Sequence, residues 1–132
     1  MAGASELLGI ARFKLHEGKL DEFKRLAAKC MEIGRAKDTG TLQYEIYFND
    51  DQSECIVLER YRNSEALIEH LANLGDTGEA ILATGSVSGE LLGEPSEELR
   101  MKLADKPGPS VHALPVNVGT LASLSEAALS RC

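Results

Sequence analysis

Two neighbouring stretches of alternating apolar residues, joined by a short polar turn, constrain the fold of this chain more than any other feature. The first, TLQYEIYF at 41–48, alternates strictly, which is typical of a strand with one buried face. The second, ECIVLERY at 54–61, follows the turn cluster NDDQS. Two such runs around a turn predict an antiparallel hairpin. The residues expected to share one face of its first strand are Leu42, Tyr44, Ile46 and Phe48.

The segments on either side of the hairpin predict two helices and two more strands. Residues 6–15 alternate as a strand, and 19–33 carry apolar residues at three- and four-residue spacing, a helical stripe that Gly34 is placed to end. Beyond the hairpin, 64–73 repeats the helical spacing until LGDTG breaks it, and SVSGELL predicts a fourth strand. The order β-α-β-β-α-β predicts an α+β, ferredoxin-like split βαβ fold, with two helices on one face of an antiparallel sheet.

The remainder of the chain is expected to elaborate this core. PSEELRMKLADK predicts a short helix that begins at Pro95, and SVHALPV predicts a short fifth strand. We therefore expect a single domain over residues 1–116, elaborated from about residue 94. Residues 117–132 are expected to form a weakly apolar tail.

The predicted sheet has a second apolar face. Two helices cover one side of it, yet the strands at 6–15 and 54–61 carry apolar residues on both sides. A large exposed apolar patch is uncommon on a monomer, and a second subunit is the simplest cover for it. The pattern therefore predicts a homodimer with the two sheets face to face.

Charge and motif content narrow the possible functions. The chain has 132 residues and a net charge of −7, which argues against binding to nucleic acid or to an anionic membrane surface. No apolar run approaches the roughly 20 residues of a membrane span and no signal peptide is recognisable, so the cytoplasm is the expected compartment. The three cysteines are far apart, and no HExxH, phosphate-loop or GxSxG motif occurs, so the sequence gives no support for a metal site, a phosphate loop or a nucleophile elbow.

A series of short motifs over about residues 6–74 resembles the antibiotic biosynthesis monooxygenase family. The motifs are Gly18 in the first turn, Glu22-Phe23, Gly40 with Tyr44, Glu59-Arg60-Tyr61, and Ala66-Leu67 with His70. The resemblance implies a dimeric α/β barrel of ferredoxin-like subunits that oxygenates phenolic or quinol substrates with neither metal nor flavin. Other relatives degrade haem or isomerise small metabolites. The chain has no Trp, which disfavours haem degradation because haem-degrading relatives use a Trp in the pocket.

His70 is the candidate catalytic residue. An imidazole can accept a phenolic proton near neutral pH, and the resulting substrate anion can pass an electron to dioxygen. The alternative is a structural histidine that points inward and is satisfied by a neighbouring group. Tyr44, Tyr61 and Phe23 are candidate substrate-binding residues, with core packing as the alternative for each.

Glu59 and Arg60 are expected to have structural roles. They lie on opposite faces of their strand, and an acid on a covered face needs a partner, so pairing within the sheet or the dimer is expected. Three functions stay open at this point. The first is a cofactor-independent monooxygenase for a small phenol or quinol, the second a non-catalytic dimeric module that binds a small aromatic or metabolite ligand. The third is an isomerase or lyase on the same scaffold.

Overall fold

A computed structural model describes residues 6–104 and 110–112 of the chain and confirms the predicted ferredoxin-like α+β fold. Its strands are β1 (Leu7–Leu15), β2 (Thr41–Phe48), β3 (Glu54–Tyr61), β4 (Gly85–Leu92) and β5 (Ser110–His112). Its helices are α1 (Leu20–Lys37), α2 (Ser64–Leu82) and α3 (Glu97–Ala104). The strands form one sheet in the order β2-β3-β1-β4-β5, with the first four antiparallel and β5 parallel to β4.

Three predicted features lie wholly or partly outside the described residues. They are the tail at 117–132, the second half of the predicted fifth strand, after His112, and the last two residues of the predicted helix PSEELRMKLADK, after Ala104.

The first helix extends beyond its predicted end. Gly34 was expected to terminate it, but α1 continues to Lys37 and Asp38 becomes its C-terminal cap, with the Asp38 N–H bonded to the Gly34 carbonyl at 2.9 Å. Arg35 and Lys37 supply positive charge to the last turn, where it suits the helix dipole. The extra turn has a consequence for the site, because it places Asp38 rather than Gly34 at the helix end.

The second helix also passes through its predicted break. Gly75, within LGDTG, takes φ 47° and ψ −125°, and the chain then resumes helical geometry as far as Leu82. Only glycine adopts that conformation readily, so the segment is a kink within α2 rather than a loop. At the start of α2, Asn63 accepts a hydrogen bond from the Ala66 N–H at 2.9 Å, as expected for an N-cap.

The alternation of β2 is interrupted at its start. The register against β3 shifts between Thr41 and Gln43, and the intervening Leu42 is 41% exposed. The strict alternation predicted for Leu42, Tyr44, Ile46 and Phe48 is therefore interrupted at Leu42, because an irregularity in the ladder disturbs the facing of the residue it contains.

Helices α1 and α2 cover one face of the sheet, and the hydrophobic core lies between them and the strands. Phe23 of α1 is fully buried, with its ring edge-on to Phe13 at 5.3 Å and to Phe48 at 5.9 Å between centroids. Leu99 of α3 is likewise fully buried and joins a second cluster that includes Leu7 and Tyr61. The opposite face of the sheet has no helix over it among the described residues, and Ile56 there is 40% exposed.

Candidate functional site

A cavity of about 210 Å³ lies between α2 and the covered face of the sheet. Its walls are largely apolar and come from β1, β2, β3, β4, α2 and α3. Polar groups enter it from the middle of the sheet and from the inner side of α2. Those that form its polar end are Tyr44, Glu59, Tyr61 and His70.

The backbone at Gly40 lies very close to α2, and this contact sets the distance between α2 and the sheet. A Cβ added at Gly40 would lie 2.4 Å from the Cβ of Ala66, so only glycine leaves room for α2 at this point. The Arg62 N–H also donates to the Gly40 carbonyl at 2.9 Å, which fixes the entry to α2. The result places His70, one turn beyond Ala66, directly above the strands.

His70 is enclosed and makes a short contact with a carboxylate. Its side chain is 2% exposed, and its Nδ1 lies 2.6 Å from Oδ2 of Asp38, whose side chain is 1% exposed. Asp38 comes from the end of α1 and is 32 residues away in sequence. A histidine whose Nδ1–H donates to a carboxylate has its tautomer fixed, which leaves the lone pair on Nε2.

Asp38 is held in place by further donors. Asn73 Nδ2 donates to Oδ1 at 2.8 Å, and Thr41 Oγ1 donates to Oδ2 at 2.7 Å. Burial acts to raise the pKa of Asp38, but hydrogen bonds from Asn73, His70 and Thr41 outweigh it and hold the pKa below its ordinary value. Asp38 is therefore an ionised anchor for His70 at neutral pH.

The other side of the His70 ring faces a second carboxyl group in a different setting. Nε2 of His70 lies 3.8 Å from Oε1 of Glu59, and Oε1 also accepts a hydrogen bond from the Tyr61 hydroxyl. The Glu59 side chain is 21% exposed. Because Glu59 lines the cavity, we assign this exposed surface to the cavity side. Burial raises the pKa of Glu59 above its ordinary value, and the Tyr61 hydrogen bond and the neighbouring His70 only partly oppose it.

Two tyrosine rings flank His70. The centroid distances from the His70 ring are 5.5 Å to Tyr44 and 5.4 Å to Tyr61, at interplanar angles of 52° and 50°. Burial and the neighbouring Glu59 raise the pKa values of both phenols, so they stay protonated and act as hydrogen-bonding groups at neutral pH.

The structure brings together four of the predicted site residues and separates the other two from them. His70, Tyr44, Tyr61 and Glu59 all meet in the cavity. Phe23 does not line the cavity and packs between Phe13 and Phe48 instead. Arg60 lies on the opposite face, with its Nε 3.7 Å from Oε2 of Glu6.

Sequence reasoning missed Asp38, Thr41 and Asn73. Asp38 was part of an unremarked loop, because the helix was expected to end at Gly34. Asn73 lies three residues after His70 and shares its helix face, a spacing that was visible in the sequence. Within residues 6–104 and 110–112, no cluster of three His, Cys, Asp or Glu side chains is arranged to hold a metal ion. No helix in the same ranges is long and apolar enough to cross a bilayer.

Fold and site define an α+β protein of ferredoxin-like topology whose histidine–carboxylate pair borders an apolar cavity. Residues 8–75, just over half of the chain, match the sequence profile of the family described as "Antibiotic biosynthesis monooxygenase". The chain therefore belongs to the antibiotic biosynthesis monooxygenase family. The matched range includes the complete polar cluster.

Several solved structures share the fold. MupZ from Pseudomonas fluorescens is 24% identical with a TM-score of 0.72, and the similarity covers 85% of this chain and 92% of MupZ. Rv0793 from Mycobacterium tuberculosis is 26% identical with a TM-score of 0.60, over 70% of this chain and 98% of that one. SnoaB, a cofactor-independent oxygenase from Streptomyces nogalater, is 19% identical with a TM-score of 0.60, over 70% and 96% of the two chains. No curated protein sequence matches this chain.

Proposed function

We propose that this protein is a cofactor-independent monooxygenase that acts on a small phenolic or quinol substrate. The observation that carries the proposal is the buried Asp38–His70 pair, which stands at the polar end of a largely apolar cavity. Nε2 of His70 has the Glu59 carboxyl at 3.8 Å, beyond hydrogen-bond distance, and both residues line the cavity, so this nitrogen is available to a ligand hydroxyl. Family membership and the cofactor-independent activity in the name of SnoaB support the same reaction.

The proposed chemistry begins with a proton transfer. His70 Nε2 accepts the proton of the substrate hydroxyl, and the Asp38 carboxylate stabilises the imidazolium that forms. The electron-rich phenolate then transfers an electron to dioxygen, and the two radicals combine. The dioxygen adds at a ring carbon that bears hydrogen, and the resulting peroxide takes up the proton held by His70. Loss of that carbon's hydrogen with cleavage of the O–O bond then leaves a new carbonyl on the ring and releases the other oxygen atom as water. The substrate itself supplies all the electrons for this reduction, so the stoichiometry closes without an external reductant.

An isomerase is the second candidate, and a specific feature favours it. His70 offers a proton acceptor at Nε2, and the Glu59 carboxyl lies 3.8 Å from it. Burial raises the pKa of Glu59, which favours the protonated form that can act as a proton donor. An acceptor and a donor that face one ligand can move a proton between two of its atoms. A proton-transfer reaction on a carbonyl compound, without oxygen consumption, would identify this activity.

The oxygenase proposal is tested by oxygen uptake with a panel of hydroquinones and dihydroxynaphthalenes, with labelled dioxygen to trace the inserted atom. We expect His70→Ala and the volume-conserving His70→Gln to lower the enzyme-dependent rate at least about 100-fold, the lower range for loss of a general base. The matched control is His16→Ala, which removes an exposed histidine from the first turn and should leave the rate unchanged.

Two results would contradict the proposal. If the folded wild-type protein consumes no oxygen with any substrate of the panel, the oxygenase is wrong and a binding module or an isomerase takes its place. If folded His70→Gln retains the wild-type rate, the assignment of the base is wrong although the activity stands.

We also propose that the protein is a homodimer whose open sheet faces meet. Ile56 on that face is 40% exposed. Two polar atoms, Arg60 Nε and Gln43 Oε1, are buried without a hydrogen-bond partner among the described residues. A second chain can cover the apolar side chains and satisfy such atoms. Cytoplasmic location remains the expectation for this assembly.

Light scattering tests the dimer. Ile56→Glu places a charge in the proposed interface and is expected to give a monomer at micromolar concentration. Met101→Glu introduces the same charge at an apolar side chain of α3, which is more exposed at 66%, and is expected to leave the dimer intact. A wild-type protein that is monomeric at that concentration would contradict the proposal.

A further inference from the structure

Glu59 brings a second ionisable group to the cavity, and the proposed oxygenation, which uses His70 and Asp38, gives it no role. Its carboxyl makes a single hydrogen bond within the described part of the chain, which Oε1 accepts from the Tyr61 hydroxyl. Burial raises the pKa of Glu59, whereas Asp38, with more hydrogen bonds, has a lowered pKa. Two ionisable groups whose pKa values are shifted apart commonly divide the acid and base roles of one site.

Glu59 and His70 are close enough to contact the same small group of a bound ligand. Nε2 of His70 lies 3.8 Å from Oε1 of Glu59, which is too long for a direct hydrogen bond. One ligand oxygen can lie at a hydrogen-bonding distance of about 2.8 Å from both atoms, because two such contacts together exceed the 3.8 Å gap. Both residues line the cavity, so a ligand bound there can reach them together.

The last step of the proposed oxygenation requires an acid as well as a base. The ring carbon that carries the peroxide loses its hydrogen as a proton, and the outer peroxide oxygen leaves with the electron pair of the O–O bond. Hydroxide is a poor leaving group in an apolar cavity, because an unpaired anion is costly to bury, so a proton donated as the bond breaks lowers the barrier. His70, which accepts the proton from carbon, cannot donate one at the same moment.

We propose that Glu59 is the general acid of this step and donates its proton to the outer peroxide oxygen while His70 Nε2 removes the proton from carbon. The C–H electron pair forms the new carbonyl bond, the O–O pair leaves with the outer oxygen, and the proton from Glu59 converts that oxygen to water. The step leaves a His70 imidazolium and a Glu59 carboxylate 3.8 Å apart, and the new water molecule can carry the proton back. The assignment rests on the proposed function and adds a catalytic residue to it.

Without the acid, the peroxide has another route of decomposition. In a hydroquinone, the bond between the ring carbon and the peroxide can break while the second hydroxyl loses its proton. The electron pair of that bond leaves with the peroxide, which gains a proton, so the products are the quinone and hydrogen peroxide and no oxygen atom enters the ring. The ratio of oxygenated product to hydrogen peroxide therefore measures how well the acid acts.

The test uses hydroquinone, labelled dioxygen and the full-length protein, and it measures labelled product and hydrogen peroxide above the enzyme-free rate. Glu59→Gln keeps the side-chain shape but cannot donate an acid proton. We expect its oxygen uptake to continue while the ratio of labelled product to hydrogen peroxide falls at least about 100-fold, the lower range for loss of a general acid. Glu54→Gln, an exposed acid on the same strand, is the matched control and should keep the wild-type ratio. A folded Glu59→Gln protein with the wild-type ratio would overturn the inference.

A pH series on the wild type tests the same proton without a substitution. Because burial raises the pKa of Glu59, the acid persists above the ordinary carboxyl range and is lost as pH rises through the folded-state value. The wild-type ratio should therefore fall as pH rises, whereas the Glu59→Gln ratio stays low throughout. The titratable groups that face Glu59 are retained in the variant and so are controlled for: Tyr44 of β2, Tyr61 of β3, His70 of α2, Cys30 of α1 and its cap Asp38. A wild-type ratio that is constant between about pH 5 and pH 9, or that follows the same curve in the variant, would overturn the inference.

The two proposals fail in different ways. No oxygen uptake by the wild type with any hydroquinone would overturn the oxygenase and, with it, the role of Glu59 in the reaction. Oxygen uptake that depends on His70, with an unchanged product ratio in Glu59→Gln, would leave the oxygenase standing and remove only the assignment of the acid.

Discussion

Two carboxyl groups lie on opposite sides of the His70 ring, and their pKa values are shifted in opposite directions. On the Nδ1 side, Asp38 is enclosed by protein donors, and hydrogen bonds from Asn73, His70 and Thr41 overcome burial and lower its pKa. On the Nε2 side, Glu59 has one hydroxyl donor and an apolar cavity, and burial raises its pKa. The comparison shows that the number of donors, rather than exposure alone, decides in which direction the pKa of a carboxyl shifts.

This asymmetry determines which nitrogen of the His70 ring carries the proton and which one accepts a proton. The ionised Asp38 holds a proton on Nδ1, so Nε2 is the acceptor, and it points toward the cavity and Glu59. A reversed arrangement would fix the proton on Nε2 and leave the acceptor facing the end of α1. The following predictions test the difference between the two carboxyl groups, from the largest expected effect to the smallest.

The Asp38→Asn substitution should destabilise the protein most. Both carboxylate oxygens of Asp38 accept hydrogen bonds, and the substitution replaces one of them with an amide nitrogen that cannot accept. The free energy of unfolding at neutral pH should therefore fall by about 2–4 kcal/mol. Because the pKa of Asp38 is depressed on folding, its stabilisation is present above the ordinary carboxyl range and is lost as pH falls through the folded-state value. Chemical unfolding at neutral pH and near pH 3 should therefore show a gap between wild type and variant that narrows in acid. A gap that is constant with pH would contradict the ionised anchor.

The Glu59→Gln substitution should have the opposite pH dependence. The folded-state pKa of Glu59 is raised, so the folded protein binds more protons and loses stability as pH rises above the ordinary carboxyl range. The variant lacks this loss, and the difference in unfolding free energy should move in its favour by on the order of 1–2 kcal/mol between about pH 5 and pH 8. Glu54→Gln, an exposed acid on the same strand, is the control and should show no such trend. Parallel curves for wild type and Glu59→Gln would show that Glu59 is not desolvated.

The Thr41→Val substitution should weaken the Asp38 side alone. Valine keeps the side-chain shape but removes the hydroxyl that donates to Asp38 at 2.7 Å, at an expected cost of about 1 kcal/mol. The pKa of Asp38 should rise toward its ordinary value, which nuclear magnetic resonance titration can follow. Thr39→Val removes a solvent-exposed hydroxyl that donates to Glu69 and is expected to change stability by less than about 0.5 kcal/mol. Equal effects of the two substitutions would contradict a stabilising role for the hydrogen bond from Thr41 to Asp38.

The Gly9→Ala substitution should affect the cavity with the least effect on stability. An added Cβ would meet Glu59 at 3.8 Å and Leu91 at 4.0 Å, which are ordinary contacts, so stability should change by less than about 1 kcal/mol. The methyl group enters the cavity beside Glu59 and should reduce ligand affinity, measured as naphthol binding. Gly89→Ala on the neighbouring strand is the contrast, because its Cβ would lie 2.1 Å from the Ile10 carbonyl oxygen and should destabilise the fold strongly. If the Gly9→Ala protein binds the ligand as tightly as the wild type, the ligand does not occupy the part of the cavity beside Gly9.

Local pattern was sufficient to predict most of the fold. The hairpin at 41–61 was bounded correctly because the first strand alternates, the second contains an apolar run of strand length, and a polar turn separates them. The departures occurred at Gly34, Leu42 and Gly75, and each has the same physical origin. Glycine and a strand end are ambiguous signals, since a helix can pass through a glycine and a ladder can shift by one residue when neighbouring elements make this favourable.

The candidate site was only half visible in the sequence. His70, Tyr44 and Tyr61 were selected by residue type and by motif, and all three border the cavity. Phe23 shares their aromatic character, yet it belongs to the packed part of the core, because the spacing that places it on the inner face of α1 does not reveal whether a cavity lies beneath it. Only the packing of α1 and α2 distinguishes these two surroundings.

The sequence by itself determined the order of strands and helices, which faces are apolar, and the presence of a histidine on the inner side of α2. These properties depend on spacing along the chain, and spacing is preserved when the chain folds. The partner of that histidine was decided only by the tertiary structure. Asp38 is 32 residues from His70, and the two meet because α1 runs one turn past Gly34 while Gly40 lets α2 approach the sheet. The ionisation of Asp38 and Glu59 was decided in the same way, since it depends on donors and burial that exist only once distant segments are packed together.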